Sequence, residues 1–386
     1  MDAPSILIVG TGIAGYTVAR ELRRIDRQIP ISLYTLDDGH FYSKPMLSNA
    51  ISAGKDAARL HSQTVEHMRE QLNVHVHAGA RIEAINPDAH EISLAGHARR
   101  YSKLVLAVGA NPIRIPLGGN ASDSPISINN LADYGDLYTR LRQPRHIVIL
   151  GAGLIGCEFA NDLVRAGHAV TLFDPAPWVL NRLIPADIGM KMGAALEEAG
   201  VTLHCNVSCK AINHHKGGFR LQLSNGHAMH ADIVMSAVGL RPSIGLARQA
   251  ALETDRGIKV NRYLETSASD VYALGDCAQV SGLFLPYVMP TMQCARALAA
   301  TLTGTPTAVS YAAMPVVVKT PSFPIAIAPP IVQDGEWKTE TTSNRDIKAL
   351  YVNAAGQATG FIVGGRLLGE YRKLATTIPA WLEPMG

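Results

Sequence analysis

Two stretches of this chain repeat one pattern of apolar and polar positions. In the first, Ile6, Leu7, Ile8 and Val9 run unbroken into Gly10-Thr11-Gly12-Ile13-Ala14-Gly15. Behind it, Ala14, Val18, Leu22 and Ile25 share one helical face, while Arg20, Glu21, Arg23 and Arg24 point elsewhere. In the second, Ile147–Leu150 leads into Gly151-Ala152-Gly153-Leu154-Ile155-Gly156, and Ile155, Phe159 and Leu163 share the following face. Each reads as a buried strand, a tight turn and a helix. Gly10 permits the turn, Gly12 lets backbone approach a pyrophosphate, and Gly15 lets helix and strand pack closely. The helix N-terminus then offers free N–H groups to phosphate. Two such units in one chain imply two bound dinucleotides, an arrangement that serves hydride transfer between them.

The same periodicities order the rest of the chain. Ile29, Ile31 and Leu33 predict a second strand, with Asp37 lying 22 residues after Gly15 at its untidy end, Thr35-Leu36-Asp37-Asp38. A carboxylate about 20 residues past the last glycine accepts from an adenosine ribose. Residues 74–82 and 91–94 read as short strands. His75 and His77 would share a solvent-facing side, with no further ligands to make a metal site. Leu104–Ala110 is a buried strand ending in the small residues Ala107 and Gly109, and Ile233–Pro242 repeats that organisation. Ala169–Phe173 ends cleanly in Asp174, 18 residues past Gly156; a carboxylate there binds the ribose diol of NAD and repels the phosphate of NADP. Gly275 admits a close backbone approach, and Asp276 can accept from sugar or ribityl hydroxyls. Pro290-Thr291 begins a helix with Ala295, Leu298 and Leu302 on one face. From Val316 the texture becomes short strands at 316–318, 325–328, 347–352 and 359–363.

Composition narrows the function classes. The chain has 386 residues, 47% hydrophobic and 17% charged, as in well-cored globular proteins. A net charge of +3 without Lys/Arg runs argues against nucleic acid. No apolar stretch reaches membrane-span length, and a first strand starting at Ile6 predicts no signal peptide, so a cytoplasmic protein is expected. The five cysteines, 157, 205, 209, 277 and 294, are scattered and show no Cys-x-x-Cys pair. Cys157 follows a glycine turn but reads as a buried packing residue. Lys44, in the loop Phe41–Ser48, is either a site residue or an ordinary surface lysine.

The order of motifs resembles the FAD-dependent pyridine-nucleotide oxidoreductases over essentially the whole chain: fingerprint, Ala-Val-Gly, fingerprint, Ala-Val-Gly, then Leu274-Gly275-Asp276. Within that family Phe41–Ser48, Leu154–Asp162 and Tyr272–Ala278 resemble members that reduce rubredoxin. The resemblance implies an α/β protein: two Rossmann-like, three-layer ββα domains for FAD and NAD(P), plus a small C-terminal α+β domain. It divides the chain into an FAD-binding domain at 1–112 and 244–316, an NAD-binding domain at 113–243 and a C-terminal domain at 317–386.

Carried onto this chain, the family places the FAD pyrophosphate on Gly10, Gly12, Ile13, Ala14 and Gly15, and the adenosine by Asp37 or Asp38, Arg81 and Ile82. Ala107, Gly109 and Gly275 would line the cofactor, with Asp276 on the ribityl chain and Val288 and Lys319 on the ring. Lys44 would approach the ring, paired with Glu158. NADH would lie on Gly151, Gly153, Leu154, Ile155, Gly156 and Asp174, with Gly239 near the nicotinamide. Disulfide reductases of the family need a cysteine pair beside the flavin, and peroxidase-like members need a cysteine within Phe41–Ser48; this sequence has neither. The flavin is therefore expected to hand electrons outward directly, to rubredoxin or a similar small iron–sulfur carrier. A ferredoxin of an oxygenase system is the alternative acceptor. A nucleotide-sensing protein and a membrane quinone reductase are more distant readings, the latter because Trp381–Gly386 offers no amphipathic anchor.

Overall fold

The apolar runs at Ile6–Val9 and Lys103–Leu106 become adjacent parallel strands, with Ile6 opposite Lys103 and Val9 opposite Leu106. The computed structural model describes residues 5–341 and 345–385. Its first sheet has the order 271–273, 103–106, 6–9, 31–34, 75–77, all parallel. Parallel strands covered on both faces need continuous rather than alternating apolar sequence, and Ile6, Leu7, Ile8, Leu104, Val105 and Leu106 are all buried. Each such side chain contributes about 1.5–3 kcal/mol relative to exposure. Helix Ile13–Ile25 packs on this sheet and against helix Val288–Leu302.

A second parallel sheet runs 201–205, 169–174, 146–150, 233–236 and carries helix Leu154–Arg165. The chain passes from the first unit to the second at Ala110–Pro112 and returns at Leu240–Pro242; these segments pair antiparallel, Asn111 opposite Arg241. Each unit also bears a three-stranded antiparallel sheet, at 82–100 and 209–231. The last part of the chain forms a five-stranded antiparallel sheet in the order 316–318, 325–328, 358–364, 347–353, 335–341, followed by the short helix Tyr371–Ala375. The protein is thus a mixed α/β fold with a small C-terminal unit. No helix among the described residues is long and apolar enough to cross a membrane.

Several expectations shift. The second strand starts at Ile31, leaving Ile29 outside it. The stretch at 74–82 divides into strands 75–77 and 82–86, because Gly79 turns the chain at φ +67°. Helix 288–302 begins two residues before Pro290, which stands third, where its missing N–H still removes no helical bond. Ile25 and Ile155 do not join their apolar faces; they are 54% and 45% exposed, one at the last turn of its helix and one in the first turn, just past the second glycine turn. Strand Gly335–Thr341 escapes the periodicity because it lies at the sheet edge and is polar.

Candidate active site

The two glycine turns divide their labour in the same way. A Cβ on Gly10, at φ +114°, would stand 2.3 Å from the Ala107 carbonyl oxygen, and one on Gly15 would stand 1.9 Å from that of Gly10. In the second unit a Cβ on Gly151 would be 2.7 Å from the Ala237 oxygen, and one on Gly156 would be 1.9 Å from that of Gly151. These four glycines let each helix close onto its sheet. Gly12 and Gly153 differ: an added Cβ would meet nothing within 4 Å. Both are N-caps without a side-chain hydrogen bond, and neither helix has an acid in its first turn. Each helix therefore presents unpaired N–H groups to open space, which fits a dinucleotide pyrophosphate. Ile13, Ala14 and Leu154 are half-buried along these turns, and Ile155 is exposed.

At the end of the second strand, Asp37 Oδ1 accepts from Thr11 Oγ1 (3.2 Å), Thr35 Oγ1 (2.6 Å) and Gly39 N (3.1 Å). That ties it to the glycine turn. Asp38 instead accepts from His40 N at 3.0 Å and stands with His40 and His61, away from the glycine turn that Asp37 contacts. His40 Nδ1 accepts from Val65 N, so this cluster is built into the local fold. The N–H groups of Gly79 and Ala80 donate to Asp37 O and Thr35 O, which brings Arg81, exposed, and Ile82, half-buried, alongside. In the second unit Asp174 Oδ2 accepts from Ala152 N at 2.6 Å and Oδ1 from Ala176 N at 2.8 Å, fixing its carboxylate beside the second cradle. Gly109 and Gly239 follow corresponding strands with φ of +66° and +114°, and Gly239 is exposed.

Between the cradles lies a charged cluster whose pairing differs from expectation. Lys44 does not pair with Glu158. Lys44 Nζ donates to Asn129 Oδ1 at 2.5 Å. Glu158 lies 3.3 Å from Lys319 Nζ, accepts from Lys319 N at 3.0 Å and takes the Ser48 hydroxyl. The reason is the seating of helix Leu154–Arg165, which faces Leu47–Ser52 and Lys319–Ser322 with three buried polar side chains. Asn161 Oδ1 accepts from Ser322 N (3.3 Å); Asp162 accepts from Ile51 N (2.8 Å), Ser52 N (3.2 Å) and Ser52 Oγ (2.5 Å). Burial pushes Lys44 below the ordinary lysine range, against the opposing pull of Asp276 and Asp133. Burial raises the Asp276 carboxyl, with Lys44 opposing. Gly275, at φ +77°, approaches so closely that a Cβ would lie 3.0 Å from Ala14 Cβ. Val288 opens the adjacent helix and is 41% exposed.

The sequence alone assigns no individual role to Ser48, Asn129 or Asp162. Glu158, Asn161 and Asp162 stand at i, i+3 and i+4 on a helix otherwise apolar up to its final Arg165, and that spacing was the available signal. The five cysteines are free. Cys277 is buried, its thiol pushed up to about 12 by burial, and it donates to the Leu106 and Leu274 carbonyls. Burial raises Cys157 and Cys294 too, so none of these three offers a ready thiolate.

Two family models match. Residues 4–303 match the pyridine nucleotide-disulphide oxidoreductase family. The chain belongs to that family. Residues 308–378 of this pyridine nucleotide-disulphide oxidoreductase match the rubredoxin binding C-terminal domain, which covers the five-stranded sheet and Tyr371–Ala375. A rubredoxin-NAD(+) reductase of Alcanivorax borkumensis is 43% identical over 377 residues, 97% of this chain and 98% of its own length. One of Acinetobacter baylyi is 43% identical over 98% of both chains. Among solved structures, the ferredoxin reductase for the CYP199A2 system of Rhodopseudomonas palustris is similar with TM-score 0.86 and 27% identity, over 94% of this chain and 91% of that one. The reductase in the covalent putidaredoxin reductase–putidaredoxin complex is similar with TM-score 0.88 and 25% identity, over 97% and 93%.

Proposed function

We propose that this oxidoreductase takes hydride from NADH onto FAD and passes the electrons singly to rubredoxin. The observation carrying the reading is the joining, in one chain, of two open glycine cradles to a C-terminal unit matching the rubredoxin binding domain. Near-full-length relatives at 43% identity are rubredoxin-NAD(+) reductases, which supports it. On this reading residues 1–112 with 244–316 serve FAD, 113–243 serve NADH and 317–386 face the acceptor. The setting is the cytoplasm.

Bound FAD supplies a group that accepts hydride and releases electrons one at a time. The residues of this chain bind, orient and set the field. The N–H groups after Gly12 hold the FAD pyrophosphate and Asp37 the ribose, while Arg81 and Ile82 flank the adenine. Asp276 takes the ribityl hydroxyls. Val288 and Lys319 border the ring, and Lys44 sets positive charge at its reactive edge. The N–H groups after Gly153 hold the NADH pyrophosphate, Asp174 the ribose diol, and Gly239 lets the nicotinamide approach. Hydride transfer needs alignment and no catalytic base. The balance is one NADH and two oxidised rubredoxins giving NAD+, two reduced rubredoxins and one proton. The test is turnover of purified protein with NADH and either carrier: bleaching of rubredoxin well ahead of ferredoxin reduction is expected, and the reverse order selects the ferredoxin reading.

A further inference from the structure

Asn129 lies in the segment that leads into helix Leu131–Arg140 and is gripped on three sides. Its Oδ1 accepts from Lys44 Nζ at 2.5 Å, its Nδ2 donates to Ala110 O at 3.0 Å, and its backbone N–H donates to Asp133 Oδ2 at 2.9 Å. The amide can face only one way. Reversed, it would set an NH2 against an ammonium and an oxygen against a carbonyl. Asp133 is locked in turn by a capping box with Asn130. Ala110 closely follows strand Lys103–Leu106, whose end meets the Gly275–Cys277 turn. Asn129 thus ties the Lys44 side chain to the rim of the first cradle.

The choice of an amide matters. The cluster holds two lysines and gives them different partners. Lys319 has a carboxylate, Glu158, against it, so much of its charge is cancelled. Lys44 has a neutral acceptor. The charged groups acting on it are Asp276, from the turn after Val271–Ala273, and Asp133, on helix Leu131–Arg140. Neither is its hydrogen-bond partner. A carboxylate at 2.5 Å would cancel most of the ammonium's outward field, whereas an amide fixes position and leaves charge. We infer that Asn129 is the positioning residue of Lys44, holding the ammonium at the flavin edge while leaving its charge available to negative charge on the ring. This rests on the FAD assignment above.

The test is the midpoint potential of bound FAD, measured by dye equilibration without NADH or carrier, in wild type, Lys44→Met, Asn129→Leu, Asn129→Asp and the Lys44→Met/Asn129→Leu double variant. Lys44→Met and Asn129→Leu are each expected to shift the oxidised-to-reduced equilibrium on the order of tenfold toward oxidised, about 30 mV for a two-electron couple. The double variant should match Lys44→Met alone, since Asn129 acts only through the lysine. The near-isosteric Asn129→Asp should lower the potential with Lys44 still held. A wild-type potential in Asn129→Leu beside a shifted Lys44→Met overturns the inference, as do additive shifts in the double variant. In apoprotein, acetylation of Lys44 by acetic anhydride, read by mass spectrometry against Lys319, should rise several-fold in Asn129→Leu; an unchanged ratio contradicts the grip. Failure of every variant and of wild type to bind FAD would refute the underlying assignment, while the acetylation ratio still judges Asn129.

Discussion

Glu158 and Lys319 fasten the second fingerprint helix to the start of the C-terminal sheet, through an ion pair at 3.3 Å and a backbone bond at 3.0 Å. The two ends are unequally exposed: the Glu158 side chain is 5% accessible and that of Lys319 34%. Removing the lysine ammonium leaves a carboxylate buried, whereas neutralising the glutamate leaves an ammonium that reaches water. Lys319→Met should therefore destabilise by about 3 kcal/mol and Glu158→Gln by about 1 kcal/mol. Urea unfolding of both variants checks the asymmetry. Equal losses would show that the charge on Glu158 is not what the pair compensates.

Gly12 and Gly15 stand three residues apart and should fail differently. A methyl at Gly15 would lie 1.9 Å from Gly10 O, so Gly15→Ala should lose several kcal/mol and be recovered mostly unfolded. A methyl at Gly12 meets open space, so Gly12→Ala should cost about 1 kcal/mol as an N-cap change yet retain FAD far more weakly. Thermal melts with and without added FAD separate the two. A Gly12→Ala protein that purifies yellow and melts like wild type would mean the phosphate does not lie there.

Asp174 is held by the N–H groups of Ala152 and Ala176, at the end of strand Ala169–Asp174, which follows the second fingerprint helix. Asp174→Asn keeps the shape and one acceptor but removes the charge that would repel a 2′-phosphate. The NADH-over-NADPH ratio of kcat/KM should fall by about 1–3 kcal/mol, roughly five- to 150-fold. An unchanged ratio would take the ribose away from Asp174.

Asp276 supplies a pH signature in the apoprotein. Its carboxyl is raised by burial, with Lys44 opposing. As pH climbs above about 3.9 the unfolded carboxyl ionises first, the folded chain then holds more protons, and stability falls with pH. The fall ends once the folded carboxyl has ionised. Asp276→Asn should remove that slope and gain stability relative to wild type toward neutral pH, while losing FAD. Unfolding curves of both apoproteins from pH 4 to 7 check it; parallel pH dependences would contradict a strained carboxyl.

Both cradles were legible in the sequence because Gly10, Gly15, Gly151 and Gly156 answer close backbone contacts that any other residue would break. Spacing singled out carboxylates at the ends of both strands, but not that Asp37 rather than Asp38 is the one tied to the glycine turn through Thr11. The partner of Lys44 was not legible. It depends on contacts between residues 85 positions apart, Lys44 and Asn129, and on how the helix bearing Glu158 seats against Leu47–Ser52. Local pattern carries no such information. Strand Gly335–Thr341 was missed for the opposite reason: an edge strand with Glu336, Lys338 and Glu340 has no apolar alternation to read.

The most direct measurement is an anaerobic titration of the FAD-loaded protein, in the presence of excess oxidised rubredoxin, with limiting NADH. Two rubredoxins bleached per NADH consumed, with NADPH far slower, is the expected result. NADH oxidised without bleaching, or electrons passing to ferredoxin while rubredoxin stays oxidised, would contradict the account.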